Sequence, residues 1–247
     1  MLKSKQTKSN KIAVVLPAYN AERTLEKVFK GIPKKINKII LVDDGSKDKT
    51  ALLSRKLGIR TIVHKKNLGY GANQKTCYNN MLKYDIDYVI MLHPDGQYDP
   101  NDLQNFLKAI KQKKRDVILG SRFLSGNNQT PLYKSFSIKI ITFLFNLVLG
   151  TNLSEANTGY RLYSKEVLQR VPFKKNGNGY IFDPQFIIQA VYFGFKIHDV
   201  PVSKKYNPEA ISPDFKKSVI HGIENLKLLL EYSLHKLKLR KADFLVP

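Results

Sequence analysis

The chain has 247 residues, a length that suits one large domain or one domain with an appended element. A hydrophobic content of 43% with only 14 Gly and 11 Pro argues for a packed globule rather than a disordered chain. Forty-two Lys and Arg against twenty Asp and Glu give a net charge of +22, a field that attracts nucleotide phosphates, anionic lipid headgroups or nucleic acid without choosing among them.

Residues 1–11 contain no apolar h-region, so no signal peptide is expected and the segment reads as a mobile basic tail. Ile12–Leu16 is a short β-branched run ended by Pro17, expected to be a buried strand. Glu22–Ile32 has helical spacing, with Leu25, Val28, Phe29 and Ile32 on one face. Ile39–Val42 is a second buried strand, stopped by Asp43, Asp44, Gly45 and Ser46. Asp48 can cap a helix running to about Leu57, which Gly58 closes. Arg60–Val63 follows as a third strand and Gly69–Leu82 as a third helix. Tyr88–Leu92 is a fourth strand, ending in His93, Pro94, Asp95, Gly96 and Gln97. Asp102–Lys111 then reads as a helix and Asp116–Gly120 as a fifth strand.

After Pro131 the pattern changes. An apolar helix spans about 133–149; its core, Phe136–Leu149, is interrupted by Lys139 and Asn146 and falls short of the roughly 20 apolar residues that span a bilayer. It is expected to be buried or interfacial. The loop Thr151–Asn157 leads to Thr158–Ser164, a helix over Phe182–Phe193 and a strand over Phe195–Val202. A long amphipathic helix closes the chain from about Asp214 to Lys238, with Val219, Ile223, Leu226, Leu230 and Leu234 three or four residues apart and Lys on the other faces. Such a helix can lie in an anionic headgroup layer, or simply pack, including in a homodimer interface. The expected organisation is a basic tail over 1–11, a domain over 12–213 and a helical extension over 214–247.

Strands alternating with helices imply βαβ units, hence an α/β fold with a mainly parallel sheet flanked by helices. Right-handed crossovers put the carboxyl ends of the strands on one edge, where ligands bind. The polar clusters at 17–22, 43–46, 67–72 and 93–97 are therefore expected to converge. Cys77 is the only cysteine, which excludes an internal disulfide and a cysteine zinc cluster and suits a reducing, cytoplasmic location. No zinc finger, aromatic RNA-binding signature or basic helix–turn–helix is present, so nucleic acid is not the expected partner.

Each polar cluster has a functional and a purely structural use. A carboxylate at Asp43 or Asp44 can accept from a base or ribose, or serve a strand-to-helix turn. Small residues from Asn67 to Ala72 allow a ligand or another backbone to approach a helix start. Asp95 and Gln97 offer oxygen donors for Mg²⁺ or Mn²⁺ beside a phosphate, though Pro-Asp-Gly is also a turn sequence. Arg122 and Arg161 suit phosphate or an anionic acceptor, because the guanidinium fork bonds two oxygens at once. Asp183 can cap a helix or take a hydroxyl proton. His93 and His198 have no metal-like histidine spacing around them.

Taken in series, these segments resemble the family 2 glycosyltransferases, and within them the dolichol-phosphate mannosyltransferase and glucosyltransferase branch. The matching stretches are Leu16–Asn20, Val42–Ser46, Asn67–Ala72, His93–Pro100, Leu119–Arg122, Thr158–Leu162 and Asp199–Val202. The resemblance implies a GT-A fold, Rossmann-like in its layering, a GDP- or UDP-linked sugar donor, a divalent metal and transfer with inversion. On it, Pro17, Ala18, Tyr19, Asn20, Glu22, Asp43, Asp44, Gly45, Ser46, Asn67, Gly71 and Ala72 surround the nucleotide. Asp95, Gln97 and His93 hold Mg²⁺ or Mn²⁺, Arg122 and Arg161 meet phosphate or acceptor, and Asp95 and Asp183 are the catalytic carboxylates. The implied acceptor is a polyprenyl phosphate at the cytoplasmic membrane face, reached by a peripheral contact. A glycan, protein or metabolite hydroxyl is the alternative acceptor, and non-catalytic binding of a nucleotide sugar or anionic lipid the alternative of another class. Two departures stand out: His93 replaces the usual first acid of the Asp-x-Asp signature, and Ala21 separates the Tyr-Asn pair from Glu22.

Overall fold

Runs of β-branched and aliphatic residues become strands wherever a turn sequence bounds them, and among the described residues seven do so. The computed structural model describes residues 10–112, 116–126, 130–205 and 215–246, with side chains from 219 onward in the last stretch. The strands are β1 (Ile12–Ala18), β2 (Lys38–Asp43), β3 (Arg60–Val63), β4 (Tyr88–Met91), β5 (Val117–Ser121), β6 (Arg161–Ser164) and β7 (Ile197–Pro201). The helices are α1 (Glu22–Gly31), α2 (Thr50–Lys56), α3 (Tyr70–Met81), α4 (Leu103–Gln112), α5 (Leu132–Leu149), α6 (Lys165–Arg170), α7 (Phe182–Tyr192) and α8 (Phe215–Lys236). Most of the expected tail, residues 1–9, and the expected boundary after 213 lie outside the described residues; Lys11 is tied to the fold through its N–H to Asp87 at 2.7 Å.

The strands form one sheet in the order β3-β2-β1-β4-β6-β5-β7. All neighbours are parallel except β6, which runs antiparallel to both β4 and β5. The sheet is thus mainly parallel, but not every strand ends at the same edge. Because β6 is reversed, its first residue, Arg161, pairs with Met91 and Leu119 near the carboxyl ends of β4 and β5. The chain moves outward from β1 to β3 and then returns to the other side of β1 with β4, which makes the β1/β4 border the topological switch point where ligands bind in such sheets.

Strand β1 does not stop before Pro17 but runs through it to Ala18. It pairs with β4 only as far as Val15, so beyond that point it has one partnered side, and a missing proline N–H is tolerated as it is on an edge. Side-chain alternation sends Ala13, Val15, Val89 and Met91 to one face, and Val14, Leu16, Ile90 and Leu92 to the other. The first face meets α3, α5, α6, α7 and α8 through Tyr78, Phe145, Val167, Phe186 and Leu229, among others. The second meets α1 and α4 through Leu25, Val28, Leu103 and Phe106.

Helix α6 has no counterpart in the sequence reading, since six residues carry too little periodicity; Ser164 starts it by accepting from Val167 N–H at 3.3 Å. The apolar stripe expected along α8 does not face the core: Val219, Ile223, Leu226 and Leu230 are exposed. The buried residues are Asn225, Leu228, Leu229 and Tyr232, on the opposite side of the helix. Helix α5 is similarly two-sided. It buries Thr142, Phe145 and Leu149 but exposes Leu132, Tyr133, Phe136, Ile140, Phe143 and Leu147. Its 18 residues, of mean hydropathy 1.5, are long and apolar enough by length and composition to cross a membrane, although its inner face is built into the domain and packs beside α8.

The start of α3 shows why Gly71 is small. Asn178, in the loop before α7, accepts from the N–H groups of Gly71 at 2.7 Å and Ala72 at 3.3 Å. A Cβ on Gly71 would stand 2.7 Å from Phe182 Cβ and 3.0 Å from the Gly179 carbonyl. Gly71→Ala is therefore expected to cost roughly 1–3 kcal/mol, read as a fall of several degrees in Tm.

Candidate functional site

At the switch point the loops after β1, β2 and β4 and the reversed start of β6 surround a cleft of about 1350 Å³. Pro17 and Ala18 line it from the end of β1, Tyr19 and Asn20 from the loop beyond, Glu22 from the start of α1, Asp44 from the loop after β2, Asn67 from the loop after β3, and His93, Asp95 and Gln97 from the loop after β4. Arg122, Arg161 and Asp183 line its other half. The four polar clusters do converge, as their place after the strands requires.

Not every expected residue reaches the cleft. Asp43, Gly45 and Ser46 are absent from its lining. Asp43 is buried and accepts from the Ser46 hydroxyl and from Ser46 N–H at 3.3 Å; burial raises its pKa, against those bonds. Ser46 in turn accepts from Asn20 N–H at 2.8 Å, and Asn20 Oδ1 from Lys47 N–H at 2.9 Å. Asn20 sits at φ 51°, a left-handed conformation that Asn adopts more readily than most residues. These residues shape the loops that present Tyr19 and Asp44. Gly71 and Ala72 likewise stand outside the lining, with their N–H groups taken by Asn178. Glu22 lines the cleft but also accepts from Lys49 N–H at 3.0 Å.

Asp95 is oriented by its neighbour. Gln97 donates its backbone N–H to Asp95 Oδ1 and its side-chain amide to Oδ2, both at 3.0 Å. The amide nitrogen of Gln97 is thereby committed to the carboxylate. His93 is held by a ring stack on Tyr70, with centroids 5.4 Å apart, and by Gly159, where a Cβ would come within 2.9 Å of the imidazole. Burial lowers the His93 pKa, against the pull of Asp95 and Asp183, so the ring is neutral at neutral pH. Tyr70 donates its hydroxyl to Asp183 Oδ2 at 2.7 Å, and burial raises its pKa well above the ordinary value. Its oxygen then accepts from His93 Nε2–H at 3.3 Å, which leaves the proton-free Nδ1 with a lone pair of the kind that ligates metals.

Among the described residues there is no cluster of three or more His, Cys, Asp or Glu side chains able to hold a metal by itself. Asp95 and His93 supply two donors with one negative charge. That set fits a divalent ion that enters with a diphosphate and keeps waters, and imidazole suits Mn²⁺ better than Mg²⁺.

The two arginines are buried in ion pairs. Arg122 meets Glu155 through Nη2 at 2.5 Å, and its backbone N–H donates to the same carboxylate at 2.9 Å. Burial opposes its charge, but Glu155 and Tyr98 more than offset this and raise its pKa. Its Nε has no hydrogen-bond partner among the described residues. Arg161 meets Asp183 Oδ2 at 3.2 Å and donates to the Thr158 carbonyl and, at 3.3 Å, to the Asp183 carbonyl. Asp183 is not the N-cap of α7, a place taken by Ile181. Its carboxylate instead accepts from Tyr70, from Gln74 at 3.0 Å and from Arg161. Tyr70 and Gln74 are one helical turn apart on α3, a signal present in the sequence but without meaning until α7 is placed against it. Lys204, Tyr180 and His221 also line the cleft and had no sequence signal of their own.

Comparison with known proteins gives the family and the fold. The profile of Glycosyl transferase family 2 matches residues 13–171. An uncharacterized protein of Methanocaldococcus jannaschii is 30% identical over 90% of this chain and 92% of its own length. The UDP-N-acetylglucosamine–dolichyl-phosphate N-acetylglucosaminyltransferase of Methanococcus voltae is 24% identical over 79% of this chain and 86% of its own. Among solved structures, glucosyl-3-phosphoglycerate synthase from Mycobacterium tuberculosis superposes with a TM-score of 0.66 at 17% identity, covering 95% of this chain and 83% of that one. Its complex with Mn²⁺, UDP and phosphoglyceric acid gives 0.65 at 16% identity, covering 95% and 81%. The chain belongs to glycosyl transferase family 2, and is an inverting glycosyltransferase built on the GT-A fold.

Proposed function

We propose that the chain transfers a sugar from a nucleoside-diphosphate donor to a polyprenyl phosphate while resting on a membrane surface. The observation that carries the lipid half is which helices wall the cleft. One part of its lining comes from Tyr133, Lys134, Ser137 and Ile140 of α5 and from Val219 and Gly222 of α8. The outer faces of the same two helices are exposed and apolar. Contiguous apolar surface of this kind on a soluble protein marks a partner or a membrane. Lysines beside it, together with the net charge of +22, favour an anionic layer. The Methanococcus voltae relative, by its name, uses UDP-N-acetylglucosamine and dolichyl phosphate, which supports a UDP-linked donor and a lipid-phosphate acceptor.

In this reading Tyr19 and Asp44 border the nucleoside, while Asp95 and His93 hold the divalent ion with the diphosphate. The ion, when bound, neutralises charge that builds on the departing nucleoside diphosphate. Arg122 lies in the acceptor half with one buried N–H uncommitted, and it is suited to a phosphate oxygen. A lipid phosphate is already anionic, so its attack on the anomeric carbon needs no proton removed. That agrees with Asp183, whose carboxylate is spent on Arg161, Tyr70 and Gln74.

The test is transfer of labelled sugar from UDP- and GDP-linked donors, with Mn²⁺ present, to polyprenyl phosphate in anionic vesicles or to soluble phosphorylated and hydroxyl acceptors. Lipid product, and flotation of the protein with those vesicles, are expected. Replacing Phe136, Phe143 and Ile223 by Ser should abolish flotation and lower transfer to lipid while leaving nucleotide binding unchanged. Transfer confined to soluble acceptors, or no flotation, would refute the lipid assignment, and binding without transfer would favour a carrier.

A further inference from the structure

Asp44 follows β2 directly and is almost fully buried, yet it lines the cleft. Its oxygens are unequally occupied. Among the described residues, Oδ1 is 2.6 Å from His64 Nδ1 and accepts from Leu68 N–H at 3.0 Å, while Oδ2 accepts only from Gly69 N–H at 2.9 Å. A carboxylate has about four lone-pair sites, two on each oxygen. Three are taken, and Oδ1 is closed.

His64 itself lies outside the cleft lining and touches the ligand space only through Asp44. Its backbone N–H donates to the Asp43 carbonyl at 2.9 Å, which fixes it at the end of β3 beside β2. A carboxylate can only accept, so His64 Nδ1 carries a proton toward it. The Thr76 hydroxyl, 2.9 Å from Nε2, can donate or accept and so satisfies the other ring nitrogen in either protonation state. The ring is therefore clamped between α3 and β2, and Asp44 cannot turn Oδ1 toward a ligand without breaking that clamp.

The geometry points to His64 as the residue that sets nucleobase preference, by leaving Asp44 a single acceptor site. This rests on the reading above that Asp44 borders the nucleoside. Uracil presents one N–H flanked by two carbonyls, which a single acceptor satisfies completely. Guanine presents two adjacent donors, N1–H and N2–H, whose natural partner is a carboxylate with both oxygens open. With Oδ1 closed, guanine leaves one donor unpaired in a buried site, so a uridine diphosphate is preferred. A hydrogen bond to a charged acceptor is strong enough to make this difference about tenfold or more.

The experiment is calorimetric titration of UDP and of GDP, with Mn²⁺, into the full chain and its His64→Ala and His64→Asn variants. Both nucleotides are measured on one preparation, so any loss of folded protein scales the two titrations alike and leaves the ratio of affinities intact. The wild-type chain is expected to bind UDP about tenfold or more tighter than GDP. His64→Ala should bring the ratio toward unity, because Oδ1 becomes open. His64→Asn should restore it, because the amide nitrogen replaces Nδ1 against Asp44. An unchanged ratio in His64→Ala, or a wild-type chain that prefers GDP, overturns the assignment to His64. If the wild-type chain binds neither nucleotide, the donor reading falls first and takes this one with it.

Discussion

Asp95→Ala is expected to lower kcat/KM for sugar transfer by at least about 100-fold while leaving Tm within a degree or two. Asp95 is the carboxylate at the end of β4, held in the cleft by two bonds from Gln97. It gives the proposed divalent site its only formal charge, because His93 stands where a second acid would otherwise be. Removing it should strip the diphosphate of its counter-charge in the transition state, where several kcal/mol of stabilisation are at stake. Asp95 is only partly buried and is not part of either apolar cluster, so the fold should persist. Gln97→Ala should cause a smaller loss, within the roughly 10–100-fold typical of groups that orient a metal ligand. Steady-state kinetics across a Mn²⁺ titration checks both variants; Asp95→Ala with near wild-type kcat/KM would remove Asp95 from the chemistry.

Asp183→Ala should act mainly on stability, by about 3–5 kcal/mol, because it strands the fully buried Arg161 guanidinium without its counter-ion. For a chain of this size that corresponds to a drop of roughly 10 °C in Tm. It also leaves Tyr70 and Gln74 without their common acceptor. Asp183→Asn keeps the shape and should be milder. The same pair of variants bears on the acceptor. Transfer to an anionic lipid phosphate, counted per folded molecule, should fall less than about tenfold in Asp183→Asn. A hydroxyl acceptor would instead lose the 10²- to 10⁴-fold that general base catalysis supplies. Thermal melts paired with assays normalised to folded protein separate the two effects.

Much of the sheet was legible because each parallel strand is a continuous apolar run followed at once by polar turn residues. Arg60–Val63 has the same bounds in sequence and structure. The gathering of residues 17–22, 43–46, 67 and 93–97 at one edge follows from chain direction alone. What stayed hidden was pairing. Arg122 and Arg161 were visible as cations, but nothing local says that Glu155 or Asp183 lies beside them. Gly71 was visible as a small residue at a helix start, and only the loop around Asn178 decides that its partner is backbone rather than phosphate. The exposed stripe of α8 was visible as a periodicity, yet periodicity cannot say which side of a helix faces water when the opposite side carries Leu228, Leu229 and Tyr232. His64 lacked any signal, because its role depends on which lone pairs of Asp44 are already occupied.

The last turn of the described chain, Asp243–Leu245, has a consequence for how the molecule is made. Ala242, Phe244 and Leu245 are buried in the same apolar cluster as Phe182 and Phe186, and the Phe244 carbonyl accepts from Gln189, 55 positions earlier in the chain. That face of the sheet therefore cannot be sealed while the ribosome still holds those residues. Until they emerge, the aromatic wall formed by α3 and α7 stands open to water and to other nascent chains, a recognised route to aggregation. A shortfall in yield of variants altered at Phe244 or Leu245 would thus reflect an unsealed apolar face rather than a damaged cleft.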